Sequence, residues 1–392
     1  MIIELHLLQS FPVSNLNRDD VGQPKTATFG GHTRGRVSSQ CFKRATRQLF
    51  NDYGLEKSET AIRTKRLLDH AAAALAENGR DAELVTQVVT AGLRQLGFGV
   101  DENTRLTEYL LFVGRHAIDH LTTYCDDNWD ALHAIAARNK AAADKAKGSS
   151  AENGESKKGG KGGKVTKPDK AAVEQARRIL DAGRVADVAL FGRMIADNKD
   201  FSVEAASQVA HAISTHAVVN EFDFYTAVDD LKSRGESGAD MIGTIDFNSA
   251  CYYRYANLDL NQLAINLSGD EDLVRRTARA WLFSFIHAMP TGAQNSMAAR
   301  TMPETLLGVV RFRGAWNLAN AFQAPVVDAD IMAASTARLT QHFHRLRGFY
   351  GNNDLRAVAA ASITAELPHL DDGDIVASID AFTDRILAGA TA

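Results

Sequence analysis

The residues best equipped for chemistry lie close together near the start of the chain. The stretch FGGHTRGRVSSQCFKRATRQLF, residues 29–50, sets Arg34, Arg36, Lys43, Arg44 and Arg47 around a serine pair and a glycine pair. Residues 17–48 hold seven basic side chains, Arg18 and Lys25 among them, against Asp19 and Asp20. That window carries +5 in a chain whose net charge is −4, so the other residues sum to −9. A cationic patch this local fits a particular anion rather than a generally basic protein. If a helix begins at the serines, its first N–H groups, the two hydroxyls, the Gln40 amide and Lys43, Arg44 and Arg47 make a phosphate cradle. The plainer reading is a solvated basic helix face.

Other constellations are weaker. Asp19 and Asp20 are adjacent carboxylates of the kind that metal-assisted phosphodiester cleavage uses, but in LNRDD they equally order a loop through turn bonds and salt links. His116 and His120 are spaced for one helix face, with Cys125 and His133 downstream; the spacing matches no common zinc motif and favours surface histidines. His211 and His216, five apart in a strand-like segment, point to opposite faces and read as structural. GGKGGKV lacks the Ser or Thr of a phosphate-binding loop, since Val165 stands there, and Gly30, Gly31 and Gly35 do not fit GxGxxG.

The elements that must position these groups follow from pattern. IIELHLLQSF, residues 2–11, reads as a strand, and residues 12–36, rich in turn formers, as a long loop. A helix capped by Ser38 or Ser39 then buries Phe42, Ala45, Leu49 and Phe50 and turns Gln40, Lys43, Arg44 and Arg47 outward. Residues 56–146 read as helical. Residues 147–164 hold six glycines and five lysines among 18 positions, which cannot pack and predicts a mobile segment. Pro168 suits the first turn of a restarting helix. Residues 184–194, 207–218 and 243–260 mix strand-like alternation, with a polar, glycine-bearing excursion between the last two. Helices are expected near 270–288, 329–347 and 373–389, and a strand near 305–312. The class is α+β, one such domain interrupted by a helical one.

Composition narrows the setting. Apolar residues make up 45% of the 392, enough for a large core. No run of 18 apolar residues appears, so no membrane span is expected. MIIELHLLQSF does not read as a secretory leader. Cys41, Cys125 and Cys251 are widely spaced, which suits a reducing cytoplasm.

Taken in order, several motifs resemble one family. LNRDD, K-x-A-x-FGG (25–31) and R-x-SSQ-x-x-KRA-x-R (36–47) are followed by GRM (192–194), AHAI-x-TH (210–216), FDFYTAVDDL (222–231), YYRYANLDL (252–260) and LANAF (318–322). Together they resemble the backbone subunit of Cascade, the type I-E CRISPR RNA-guided surveillance complex. The similarity runs to about residue 322 and is weaker through the helical insertion and the last 70 residues. It implies an RNA-recognition-motif (ferredoxin-like) palm at 1–56 with 206–218 and 247–392. Helical fingers would occupy 57–205 and a thumb 219–246.

The resemblance also implies roles. Arg18, Lys25, Ser38, Ser39, Gln40, Lys43, Arg44 and Arg47 would hold guide RNA; Met194 would wedge beside a displaced nucleotide, and Phe224 and Tyr225 would meet a kinked base. Lys164, Lys167 and Lys170 would face target DNA, although the glycine-lysine stretch before them departs from the family pattern. The implied partners are CRISPR guide RNA, target DNA, further copies of the chain and other Cascade subunits, with no cofactor, metal or catalytic residue. The competing reading is a metal-dependent ribonuclease of a related effector using Asp19 and Asp20. Gripping phosphate and sugar while leaving base edges free suits a subunit that must accept any guide, and apolar stacking is equally sequence-tolerant.

Overall fold

The structure is a computed structural model that describes residues 1–101, 103–150, 170–181, 183–194, 201–227 and 241–391; side chains of 142–150, 170, 241 and 242 are not described. The chain begins with strand β1 (Ile2–Ser14), three residues longer than its alternation predicts. Residues 12–36 are not simply a loop, because they contain a hairpin of β2 (Thr26–Phe29) and β3 (His32–Val37). TATF alternates Thr26 and Thr28 with Ala27 and Phe29, exposed and half-buried in turn, but four residues among turn formers are too short a run to announce a strand without its partner. Gly30 and Gly31 make the two-residue turn with φ of +60° and +80°, the conformation such hairpins favour. A β-carbon on Gly30 would also collide with the Gln323 carbonyl oxygen.

Helix α1 (Ser39–Gln48) follows, with Phe42 and Ala45 buried beneath it and Phe50 buried just past its end. Next come β4 (Ala61–Thr64), α2 (Leu67–Glu77), α3 (Val85–Gln95), β5 (Leu111–Gly114), α4 (His116–Asp127), α5 (Trp129–Ser150), α6 (Lys170–Ile179) and α7 (Ala186–Phe191). The chain then forms β6 (Ser207–Val209), β7 (Ala212–Ser214), β8 (Glu221–Ala227), β9 (Met241–Asp259), α8 (Leu260–Asn266), α9 (Glu271–His287) and α10 (Gln294–Met297). It closes with β10 (Thr305–Arg311), α11 (Ile331–Tyr350), β11 (Leu355–Ser362) and α12 (Ile379–Thr391).

Two corrections to the pattern reading stand out. The 56–146 region is not wholly helical, since β4 and β5 pair antiparallel within it. Residues 186–191 of the strand-like RVADVALFGRM are helical; the segment is buried on every side, Asp187 included, and a short buried run does not distinguish a helix from a strand by periodicity. The first four residues of 147–164 close α5, and the rest of that stretch, with Pro168, lies outside the described residues.

The described residues divide into two compact units, 1–55 with 206–265 and 269–392, and 56–205 with 266–268. The first is α+β, an open antiparallel sheet ordered β11-β10-β1-β9-β7-β3-β2, with β6 and β8 also pairing to β9. On one face α11 sends Leu339 and Phe343 onto Leu8, Leu307, Val309 and Val358. On the other, Phe382 and Ile386 of α12 pack against Gly308. With both faces covered, β1 is buried almost throughout, polar residues included. The second unit gathers Leu67, Leu75, Val88, Leu93, Leu121 and Ile179 into its own core.

His6 is one of the buried polar residues of β1, with Nδ1 2.9 Å from the Tyr253 hydroxyl. Burial, reinforced by the nearby Arg311 charge, holds its imidazole down to about 3, against an ordinary 6.5. The unfolded chain therefore takes up a proton below pH 6.5 that the folded chain refuses. This contribution to stability is complete above pH 6.5 and is lost as pH falls toward 3. Buried Glu4, raised above its usual range by burial despite Arg311, acts in the opposite sense and cancels when wild type is compared with His6→Gln. Lowering the pH from 6.5 to 5 should reduce the free energy of urea unfolding by about 2 kcal/mol more in wild type than in the variant. Equal losses would show that another group carries the acid sensitivity.

Candidate nucleic-acid interface

The start of α1 is built to hold most of its own donors. Ser38 is the N-cap in extended conformation, and its Oγ accepts the Cys41 N–H at 3.3 Å. Its own N–H donates to Asn17 Oδ1 at 2.9 Å. The Ser39 N–H donates to Nδ1 of His211 at 3.1 Å. Gln40's N–H makes no hydrogen bond among the described residues, so it is the helix-start donor left facing outward. Ser38 is buried while Ser39 is half-buried and Gln40 exposed, which places Ser38 in the frame of the cradle and the next two residues at its surface.

The cations divide in a way the sequence does not show. Arg34, counted above in the basic run, is fully buried; it donates to the carbonyls of Ser214 (2.9 Å), Phe322 (2.8 Å) and Gln323 (3.2 Å). It is a structural clamp and is withdrawn from the surface patch. Lys25, Arg36, Lys43 and Arg47 are half-buried, and Arg18 and Arg44 exposed. Lys25 and Arg36 are locked together through backbone, the Arg36 N–H donating to the Lys25 carbonyl at 2.8 Å. Arg44 reaches Thr291 Oγ1 at 3.4 Å. Asp19 Oδ1 accepts the N–H groups of Val21 (3.0 Å) and Gln23 (2.8 Å), an Asx-type turn that shapes the loop before Lys25. Asp20 is exposed beside it.

Beneath α1 lies Arg254, from the YYRYANLDL run. Its guanidinium is 4.4 Å from the centre of the Phe42 ring and 4.9 Å from that of Phe285. It donates to Gln9 Oε1 at 2.5 Å, to the Phe285 carbonyl, and to the Ile286 carbonyl at 3.4 Å. Burial pushes its pKa down to about 9. Arg254 thus fixes the underside of the helix whose other side carries Lys43 and Arg47.

A second surface of this unit is the ribbon formed by β8 and the first half of β9, from Glu221↔Phe247 to Ala227↔Met241. Every residue of β8 is exposed. Phe222 and Phe224 lie edge to face, 5.9 Å apart, each 64% exposed, so neither is a core residue. Tyr225 lies on the opposite face of the strand, over Gly243, where a β-carbon would collide with its ring. Residues 228–240, including the rest of FDFYTAVDDL, lie outside the described residues.

In the helical unit, Met194 is 89% exposed just after the buried Arg193, whose guanidinium holds the carbonyls of Phe201 (3.0 Å) and Phe112 (3.2 Å). Lys170 opens α6; Lys164 and Lys167 fall outside the described residues. His116 and His120 stand edge to face at 5.3 Å, with His116 Nε2 3.1 Å from the Asp181 carbonyl. Among the described residues no group of three or more His, Cys, Asp or Glu side chains is placed to hold a metal. Nor is any described helix long and apolar enough to cross a membrane.

Pattern reading missed two residues at these surfaces. Phe222 pairs with Phe224, and strand alternation in EFDF was the available signal. His211 joins the start of α1 through pairing of β3 with β7, which nothing local announces.

Comparison with known proteins gives a consistent set of matches. The family model described as CT1975-like protein matches residues 3–385. A chain of a structure titled "CRISPR RNA-guided surveillance complex, pre-nicking" is 30% identical, with 100% of both chains covered and a TM-score of 0.82. A chain from another "CRISPR RNA-guided surveillance complex" is 26% identical over 99% of each chain, with a TM-score of 0.71. No curated protein matches in sequence.

Proposed function

The chain belongs to the CT1975-like protein family, and from that premise we propose that it is a CRISPR RNA-binding, non-catalytic backbone subunit of a type I-E Cascade complex. The observation that carries this reading is the end-to-end match, at 30% identity, to a chain of an RNA-guided surveillance complex. Several copies polymerise along the guide, grip its backbone and leave its bases free to pair with target DNA. The sheet unit serves as an RNA-recognition-motif palm, the helical unit as fingers and the β8–β9 ribbon as thumb. Lys164, Lys167 and Lys170 are assigned to target DNA, and other Cascade subunits complete the particle.

The interface chemistry supports the RNA assignment. The outward N–H of Gln40 lies at the positive end of α1, with Lys25 just before β2 and Arg36 on β3 leading into it. A phosphate there is stabilised by donors and helix dipole together. Lys43, Arg44 and Arg47 carry the positive charge onward along the helix to its last turn. None of these groups reads a base edge, as a sequence-blind grip requires. The exposed rings of Phe222, Phe224 and Tyr225 offer stacking to any base.

Lys43→Ala with Arg47→Ala should weaken binding to single-stranded RNA of every sequence alike. With two cations removed from the phosphate backbone, the slope of log affinity against log salt should fall by about 1.4. A loss confined to some sequences would mean that these side chains read bases. The assembled wild-type complex, mixed with RNA complementary to its guide and magnesium, tests the absence of catalysis. Cleavage abolished by Asp19→Ala or Asp20→Ala would replace this proposal with a ribonuclease.

A further inference from the structure

We infer that His211 is a further contact for bound RNA, its Nε2–H donating to a phosphate oxygen seated against the start of α1; the inference rests on the functional reading above. Ser39's N–H donates to Nδ1 at 3.1 Å. A ring nitrogen that accepts carries no proton, so in the neutral imidazole the proton is on Nε2. The ring is exposed, and Nε2 makes no hydrogen bond among the described residues.

The neighbouring histidine of the same AHAISTH run shows what a purely structural role looks like. His216 uses both nitrogens on backbone: Nε2 accepts the Cys251 N–H at 3.2 Å, and Nδ1–H donates to the Ala217 carbonyl at 2.9 Å. His211 uses one nitrogen to hold the helix start and turns its donor outward. The two histidines therefore do different work.

The surroundings favour a neutral donor. Burial, then the charges of Arg36 and Lys25, hold the His211 pKa below its ordinary value. Those same cations attract the phosphate that the ring would meet. Gln40's outward N–H, one residue beyond Ser39, gives that oxygen a second donor from the helix start.

The test is a salt series of binding to a labelled single-stranded RNA of mixed sequence, using wild type and His211→Asn. Asparagine keeps an acceptor for the Ser39 N–H and removes the Nε2 donor. The variant should melt with wild type and bind about tenfold more weakly, the effect of one hydrogen bond to a charged acceptor. Its salt slope should equal that of wild type, because a neutral donor releases no counterion. Affinity within twofold of wild type would overturn the inference, and so would a slope reduced as for the Lys43, Arg47 double variant. Should the asparagine variant misfold, nitrogen-15 histidine spectra of the wild-type chain decide instead. The His211 Nε2 signal must shift on adding the RNA, and an unmoved signal would overturn the assignment. Wild type that binds no RNA at all would sink the functional reading itself, a result distinct from the two failures above.

Discussion

Replacing Glu4 with leucine is expected to destabilise the sheet unit by about 3–5 kcal/mol, the cost of leaving a buried charge without its partner. Glu4 and Arg311 are 0% and 2% exposed, and Arg311 Nε lies 2.7 Å from Glu4 Oε2. Glu4 Oε1 also accepts the Trp316 N–H and the Tyr255 hydroxyl. The Arg311 guanidinium is 3.6 Å from the centre of the Trp316 ring. One of its nitrogens, Nη2, makes no hydrogen bond among the described residues, so the site has no spare acceptor to take over. Removing both charges, as Glu4→Leu with Arg311→Met, should recover more than half of the loss, since two apolar side chains of similar volume leave no buried charge unpaired and only the Trp316 N–H and Tyr255 hydroxyl lose an acceptor. Denaturant unfolding of the three proteins decides it. A double variant as unstable as the single one would show that packing, rather than the orphaned charge, sets the cost.

Arg254→Met should lower stability by about 3 kcal/mol and weaken RNA binding as well. Three acceptors lose their donor, each a cost of about 1 kcal/mol or more when buried. Two of them, the Phe285 and Ile286 carbonyls, belong to the last turn of α9, where carbonyls have no partner within the helix. A cation at that end also complements the helix dipole. Arg254→Lys should fall between, because one ammonium cannot span Gln9 and both carbonyls in the fork geometry of a guanidinium. Because Phe42 of α1 rests on the Arg254 guanidinium, loosening that support should reduce affinity at Lys43 and Arg47 on the same helix. An unchanged melting temperature would deny Arg254 this role, and unchanged RNA affinity in a destabilised variant would separate the helix support from the interface.

The elements legible in the sequence are those whose evidence is local. β1, α1, α9, α11 and β10 declare themselves by apolar residues two, three or four positions apart, and each stands close to where that spacing puts it. The α+β class follows from their order. The basic run of residues 17–48 is legible for the same reason, since charge composition needs no partner to be counted. The aromatic surface of EFDFY is half legible: its motif points to Phe224 and Tyr225, while only strand alternation sets Phe222 beside Phe224.

What only the tertiary structure decided is which of those residues face each other. Arg34 and Arg36 are indistinguishable by type, yet one is buried against carbonyls up to 289 positions away and the other stays at the surface. His211 reaches Ser39 across 172 positions, and Arg254 meets Gln9 across 245. TATF is a strand because β3 lies beside it, and RVADVALFGRM contains a helix because its surroundings bury every side. Periodicity reports how a segment repeats against its own near neighbours. Burial and hydrogen-bond partnership depend on the surface brought opposite, and that is fixed by packing of the whole unit.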